Sequence, residues 1–196
     1  MDLPVPKSQY PVRTRRTPSK MKGACTTAYR RWAGAFACLW KGTAMPSISP
    51  VTRKAVRCSR ETAWLTAQVT AQLIASTPDV NAPTPSAALT GALERVAELE
   101  NAAAKEGRTI DYAGVMSLDT EAFCEAAGLP QAPATLADER YMFTLSGKDL
   151  IADIYRWCPI LAERTGAAQV KPAQAVRLAL RIHLLDAAGT LPYAER

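Results

Sequence analysis

Arg53, Arg57 and Arg60 stand four and three residues apart, and Trp64 follows four residues later. On a helix that spacing puts three guanidinium groups and an indole in one line. Val51, Ala55, Cys58, Thr62 and Leu65 fall in the opposite line. Cations at successive turns can meet successive phosphates, and an indole plane is a surface on which a base can stack. Such a row suits recognition of a nucleic-acid backbone, with no bond made or broken. Lys54 flanks the row, Arg30 and Arg31 precede it, and Arg13, Arg15, Arg16, Lys20 and Lys22 stand among the first 24 residues. The competing explanation is a set of solvated cations, with Trp64 packed against a neighbouring helix. Residues 3–60 contain no carboxylate, whereas a merely soluble surface mixes both signs. That absence favours the phosphate reading.

Other chemistry is poorly supplied. The one histidine, His183, lies in line with Val176, Leu180 and Ala187, as a core histidine would. One histidine excludes a multi-histidine metal site. Glu121 with Glu125, and Asp149 with Asp153, are carboxylates one helical turn apart. They could grip a cation, but solvated helix faces show the same spacing. The tetrad SGKD at 146–149 lacks the earlier glycine of a phosphate loop and has Asp where Ser or Thr should meet magnesium. The five cysteines, at 25, 38, 58, 124 and 158, form no CxxC pair. They read as free thiols of a reducing compartment, mostly small core residues. No catalytic residue, cofactor or metal is expected. An enzyme built on Glu121, Glu125 or Cys124 is the weakest of three readings.

The elements that must position these residues read as helices. At 196 residues, 48% hydrophobic and 21% charged, the chain supports one core and an arm. Its net charge of +6 hides a division. Residues 1–60 hold 13 Lys/Arg and one acid, and the remainder holds 11 Lys/Arg against 17 acids. A basic segment of this kind fits nucleic acid, anionic lipid or an acidic partner. No apolar run reaches the ~18 residues of a membrane span.

Residues 1–24, with four prolines, predict an extended basic arm; an organellar transit peptide has similar composition. Tyr29, Trp32, Ala33, Phe36, Leu39 and Trp40 predict an amphipathic helix from Thr27, closed by Gly42. Ser49 and Pro50 open a long helix to about Ser76. Its outward line continues as Ala67, Ala71 and Ala75, small residues that suggest close packing by another element. A third helix starts at Thr84 or Ser86 and stops at Gly107, with a short extended piece at 109–112 and irregular chain to 116. Helices follow over 119–127 and 136–143. Ser146 and Asp149 suggest a capping box for the next, which Pro159 should kink or restart. Pro172 starts the last, ended by Gly189, whose residues Leu178, Ile182 and Leu185 make it apolar nearly all round. The expected fold is all-α: a bundle of six to seven helices behind the arm. Residues 25–196 form one domain, with a basic helical pair over 25–78 and a bundle over 84–196.

Leu150, Asp153 and Trp157 in LIADIYRW, followed by a loop and the helix QAVRLALR, resemble the small helical subunit of CRISPR ribonucleoprotein effector complexes. The resemblance covers about a quarter of the chain; the long basic N-terminal region and Pro159 depart from the pattern. It implies scaffolding and backbone binding without catalysis, with Arg177 and Arg181 as contacts. The reading is thus a non-enzymatic, nucleic-acid-binding structural subunit of a larger assembly. Its partners would be nucleic acid, RNA favoured over DNA, and other subunits or copies of itself. An effector subunit, a viral capsid or nucleocapsid protein and an organellar ribosomal protein all fit. The compartment would be the cytoplasm or another reducing one, with an organellar matrix or a virion as further settings. The main rival is an accessory subunit of a protein-only complex whose basic arm docks on an acidic partner.

Overall fold

The computed structural model describes residues 55–76, 84–137 and 141–195. The arm, the helix expected from Thr27 and the Ser49–Pro50 helix start lie outside the described residues. Within the described residues the fold is mostly helical, with six α-helices and two small two-stranded sheets. No helix there is long and apolar enough to cross a membrane.

The long helix expected up to Ser76 needs correction. Ala55–Ser59 is a strand, β1, and helix α1 begins only at Arg60 and runs to Ser76. Val56 and Cys58 are buried while Ala55 and Arg57 are exposed, the alternation of a strand. β1 pairs antiparallel with β3, Tyr141–Ser146, in the register Val56↔Leu145 and Arg57↔Thr144. Ser59 then caps α1: its Oγ accepts from the Thr62 N–H at 3.3 Å. The helix expected over 136–143 is likewise replaced, by a 3-10 turn at Ala134–Ala137 and then β3. A short strand is stabilised by its partner rather than by its own residues. That partner lies far along the chain, so no local period announces it.

Helix α2, Pro85–Lys105, starts as expected, with Thr84 Oγ1 accepting from the Ala87 N–H at 3.2 Å. Strand β2, Arg108–Ile110, pairs antiparallel with a C-terminal strand, β4, Tyr193–Glu195. The chain expected to be irregular contains a short helix, α3, Tyr112–Ser117. Its cap Asp111 takes the Gly114 N–H at 2.8 Å, and a Cβ at Gly114 would push that carboxylate aside. Helix α4, Thr120–Ala126, is capped by Asp119. Helix α5, Lys148–Thr165, is capped by Gly147 at φ 128°, not by a Ser146 capping box, and continues through Pro159.

Helix α6, Pro172–Ala187, is the centre of the packing. Leu178, Leu180, Ile182, Leu184 and Leu185 are each 2% exposed or less. It packs against α1, α2, α3, α5 and β1. A helix so enclosed cannot have a charged face, which is why its sequence is apolar nearly all round.

The strand assignment has a direct test in the alternation along β3. Leu145 is 2% exposed and Thr144 is exposed. Leu145→Ala should lower stability by about 2–5 kcal/mol, and Thr144→Ala should stay within about 0.5 kcal/mol. Urea unfolding measures both; equal losses would contradict the pairing.

Candidate functional site

The basic row does not survive as one helical line. Arg53 and Lys54 lie outside the described residues, Arg57 is exposed on β1, and Arg60 is the first residue of α1. The strand changes the period from 3.6 to 2 between Arg57 and Arg60, which turns their side chains out of register. Trp64 is half-buried and packs against the hydrophobic core. It is no open stacking plane. Arg13, Arg15, Arg16, Lys20, Lys22, Arg30 and Arg31 lie outside the described residues.

Arg177 and Arg181 are placed on α6, but they turn inward to an acid that the charge reading passed over, Glu61. In the first turn of α1, Glu61 Oε2 accepts from Arg177 Nη1 at 2.9 Å, and its Oε1 accepts from Arg181 Nη2 at 2.6 Å. Arg181 Nη1 also donates to the Leu118 carbonyl at 2.7 Å, and its guanidinium lies 4.8 Å from the Phe123 ring centre. The Arg181 side chain is 4% exposed and that of Glu61 12%. Arg181 is therefore an internal tie, not a surface contact for a backbone. Arg177, 33% exposed, reaches solvent only at one side of the same carboxylate. The signal for Glu61 was its isolation, as the first acid after a long acid-free stretch.

Around this ion pair an open groove of about 980 Å³ separates the starts of α1 and α6 from α4. Glu61, Glu121, Cys124, Glu125, Lys171 and Arg177 contribute its ionisable groups. Its carboxylates and cations oppose one another, so the groove has no single sign to attract a polyanion. Cys124 is buried and desolvation pushes its thiol up, with Ala132, Arg181 and Glu61 as smaller influences. A protonated thiol is a weak nucleophile. The second carboxylate pair is divided: Asp149 is exposed, whereas Asp153 is buried and takes a bond from Arg156 Nη1 at 3.0 Å.

His183 lies on α6 with its Nδ1 buried and without a hydrogen-bond partner among the described residues. Burial lowers its pKa, against Asp186 and assisted by Arg95. A second internal ion pair joins Glu100 to Arg164 at 2.5 Å, with the Arg164 guanidinium 5.4 Å from the Tyr112 ring centre. Leu150, Asp153 and Trp157 lie on α5, with Trp157 buried edge-on against Tyr112. Among the described residues no three His, Cys, Asp or Glu side chains converge as a metal site would need. No protein-family model, curated protein or solved structure matches the chain.

Two measurements check this description. Removing one partner of a buried pair leaves the other charge uncompensated, at a cost of about 3–5 kcal/mol. Glu61→Ala should show that loss, and Arg177→Ala, at the exposed side, should cost about 1 kcal/mol or less. Comparable losses would show that Glu61 does not hold Arg181. The second concerns thiols: burial pushes Cys58 and Cys158 from 9.0 up to about 11. Both raised values favour the protonated, folded form. Stability contributed by these thiols is complete below pH 9.0 and is lost as pH rises toward about 11. Urea unfolding across that range should show the decline, and neither thiol should react with a disulfide reagent before unfolding.

Proposed function

We propose that the chain is a non-enzymatic structural subunit that binds nucleic acid, with RNA favoured over DNA, inside a multi-subunit assembly. The observation that carries this reading is the division of charge. Residues 3–60 hold 13 Lys/Arg and no carboxylate. In the described body, by contrast, Arg95, Arg108, Arg156, Arg164, Arg177 and Arg181 each meet a carboxylate of the chain itself. Cations with no acid nearby in sequence can meet phosphates, and that contact releases the counterions condensed on the nucleic acid.

The proposed contact set is consequently the N-terminal one: Arg13, Arg15, Arg16, Lys20, Lys22, Arg30, Arg31, Arg53 and Lys54, joined by Arg57 on β1. Arg177 and Arg181 leave it, because Glu61 holds them. Without them the CRISPR resemblance retains only the scaffold role of α5 and α6. A capsid or ribosomal subunit with a basic arm fits the same division of charge.

Salt dependence tests the reading. Binding through about 6 phosphate contacts should weaken roughly a thousandfold between about 50 and 200 mM salt. Replacing Arg13, Arg15 and Arg16 together by Gln should reduce the slope of log affinity against log salt by about 2 on a single strand. An unchanged slope would remove the arm from the contact set. Failure to bind RNA or DNA at low salt, with salt-sensitive capture of an acidic protein, would favour the protein-only complex instead.

A further inference from the structure

Helix α1 turns an uncharged side to solvent. From Thr62 to Ser76 it contains no Asp, Glu, Lys or Arg. Its exposed positions are Ala67, Ala71, Ile74, Ala75 and Ser76. Ile74, 41% exposed, is the large hydrophobic residue that stands out to solvent among the described residues. A helix side meant for water carries charged residues opposite its apolar stripe. Here Ala67, Ala71 and Ala75, four residues apart, instead make a row of methyl groups beside Ile74.

The chain contains one segment with the complementary need. Over residues 27–41, Tyr29, Trp32, Phe36, Leu39 and Trp40 recur at amphipathic helical spacing, with Arg30, Arg31 and Lys41 off that side. Large knobs pack best into a surface of small residues, because the small ones leave room for rings without a void. The connection is also long enough. Residues 42–54 can span up to about 43 Å at 3.3 Å per residue. The path from Ala55 along β1 and α1 to Ala71 is at most about 31 Å, from 3.3 Å per strand residue and 1.5 Å per helix residue.

We propose that residues 27–41 of this chain dock their aromatic side on the Ala67–Ala71–Ala75 and Ile74 surface of α1. Docked there, the segment brings Arg30, Arg31 and Lys41 onto the body alongside α1. It anchors the basic arm at a defined place instead of leaving it tethered by β1 alone. The inference concerns packing within the chain and stands whether or not nucleic acid is the ligand.

A thiol at Ala71 reads the cover directly. The full chain carries Ala71→Cys with Cys25→Ser and Cys38→Ser; Cys58, Cys124 and Cys158 are buried. Iodoacetamide alkylation of the new thiol is compared with the same chain bearing Trp32→Asp and Phe36→Asp. The intact segment should slow alkylation at least about tenfold, as a cover that must open locally does. The rate should not depend on protein concentration, and the Asp variants should abolish the protection. A control thiol from Ala87→Cys, exposed on α2, should react equally in both chains and so report that the body remains folded. Fast alkylation of the intact chain would overturn the proposal. Protection that grows with protein concentration would identify a second copy as the cover. Protection that survives the Asp variants would assign it to another segment.

Discussion

The rest of the fold depends on one half-buried carboxylate. Glu61 enters the interior in the first turn of α1 and there holds two arginines of α6, Arg177 and Arg181. Desolvating a charge is expensive, and mutual attraction repays it only when the remaining donors and acceptors are also satisfied. Arg181 also donates to the carbonyl between α3 and α4 and lies over Phe123 of α4, while its buried Nε finds no hydrogen-bond partner among the described residues. One network therefore fixes α1 against α6 and both against the α3–α4 corner. A slip of one turn in either long helix would bury an unpaired charge, so the pair selects a register as well as adding stability.

A second internal ion pair ties two other helices. Glu100 on α2 is 1% exposed and takes Arg164 of α5, whose guanidinium in turn faces Tyr112. Each of these two acids draws an arginine from a helix distant in sequence, with an aromatic ring against the guanidinium. α6 is apolar on nearly every side, and its own part in these ties is confined to Arg177 and Arg181. A sequence count treats Arg164, Arg177 and Arg181 as surface charge. In the fold, much of their charge is cancelled inside the molecule.

This explains what could be read in advance. The caps at Thr84 and Asp119, the stops at Gly107, Gly128, Gly166 and Gly189, and the buried face of Leu89, Leu93 and Val96 are local signals, and all appear in the structure. Ala55–Ser59 was misread because Val56 and Cys58 suit a strand and a helix equally over five residues. Only pairing with Leu145 and Phe143 decides between them. The inward turn of Arg177 and Arg181 was equally invisible, since an amphipathic pattern records where apolar residues lie but not which acid a cation will find. Pairing across long sequence separation is the common cause of both misreadings.

The division of charge gains meaning from these internal ties. The body's arginines are largely matched by its own acids, and its groove is of mixed sign. From residue 61 onward 17 acids stand against 11 Lys/Arg, so the chain's excess of positive charge lies wholly in its first 60 residues. Under the proposed function that arrangement would separate two tasks on one chain. The folded body would pack against neighbours, while the N-terminal residues would set the sign and salt dependence of what is bound. Had Arg177 and Arg181 faced outward, both tasks would have fallen on α6, and the helix could not have stood at the centre of the core.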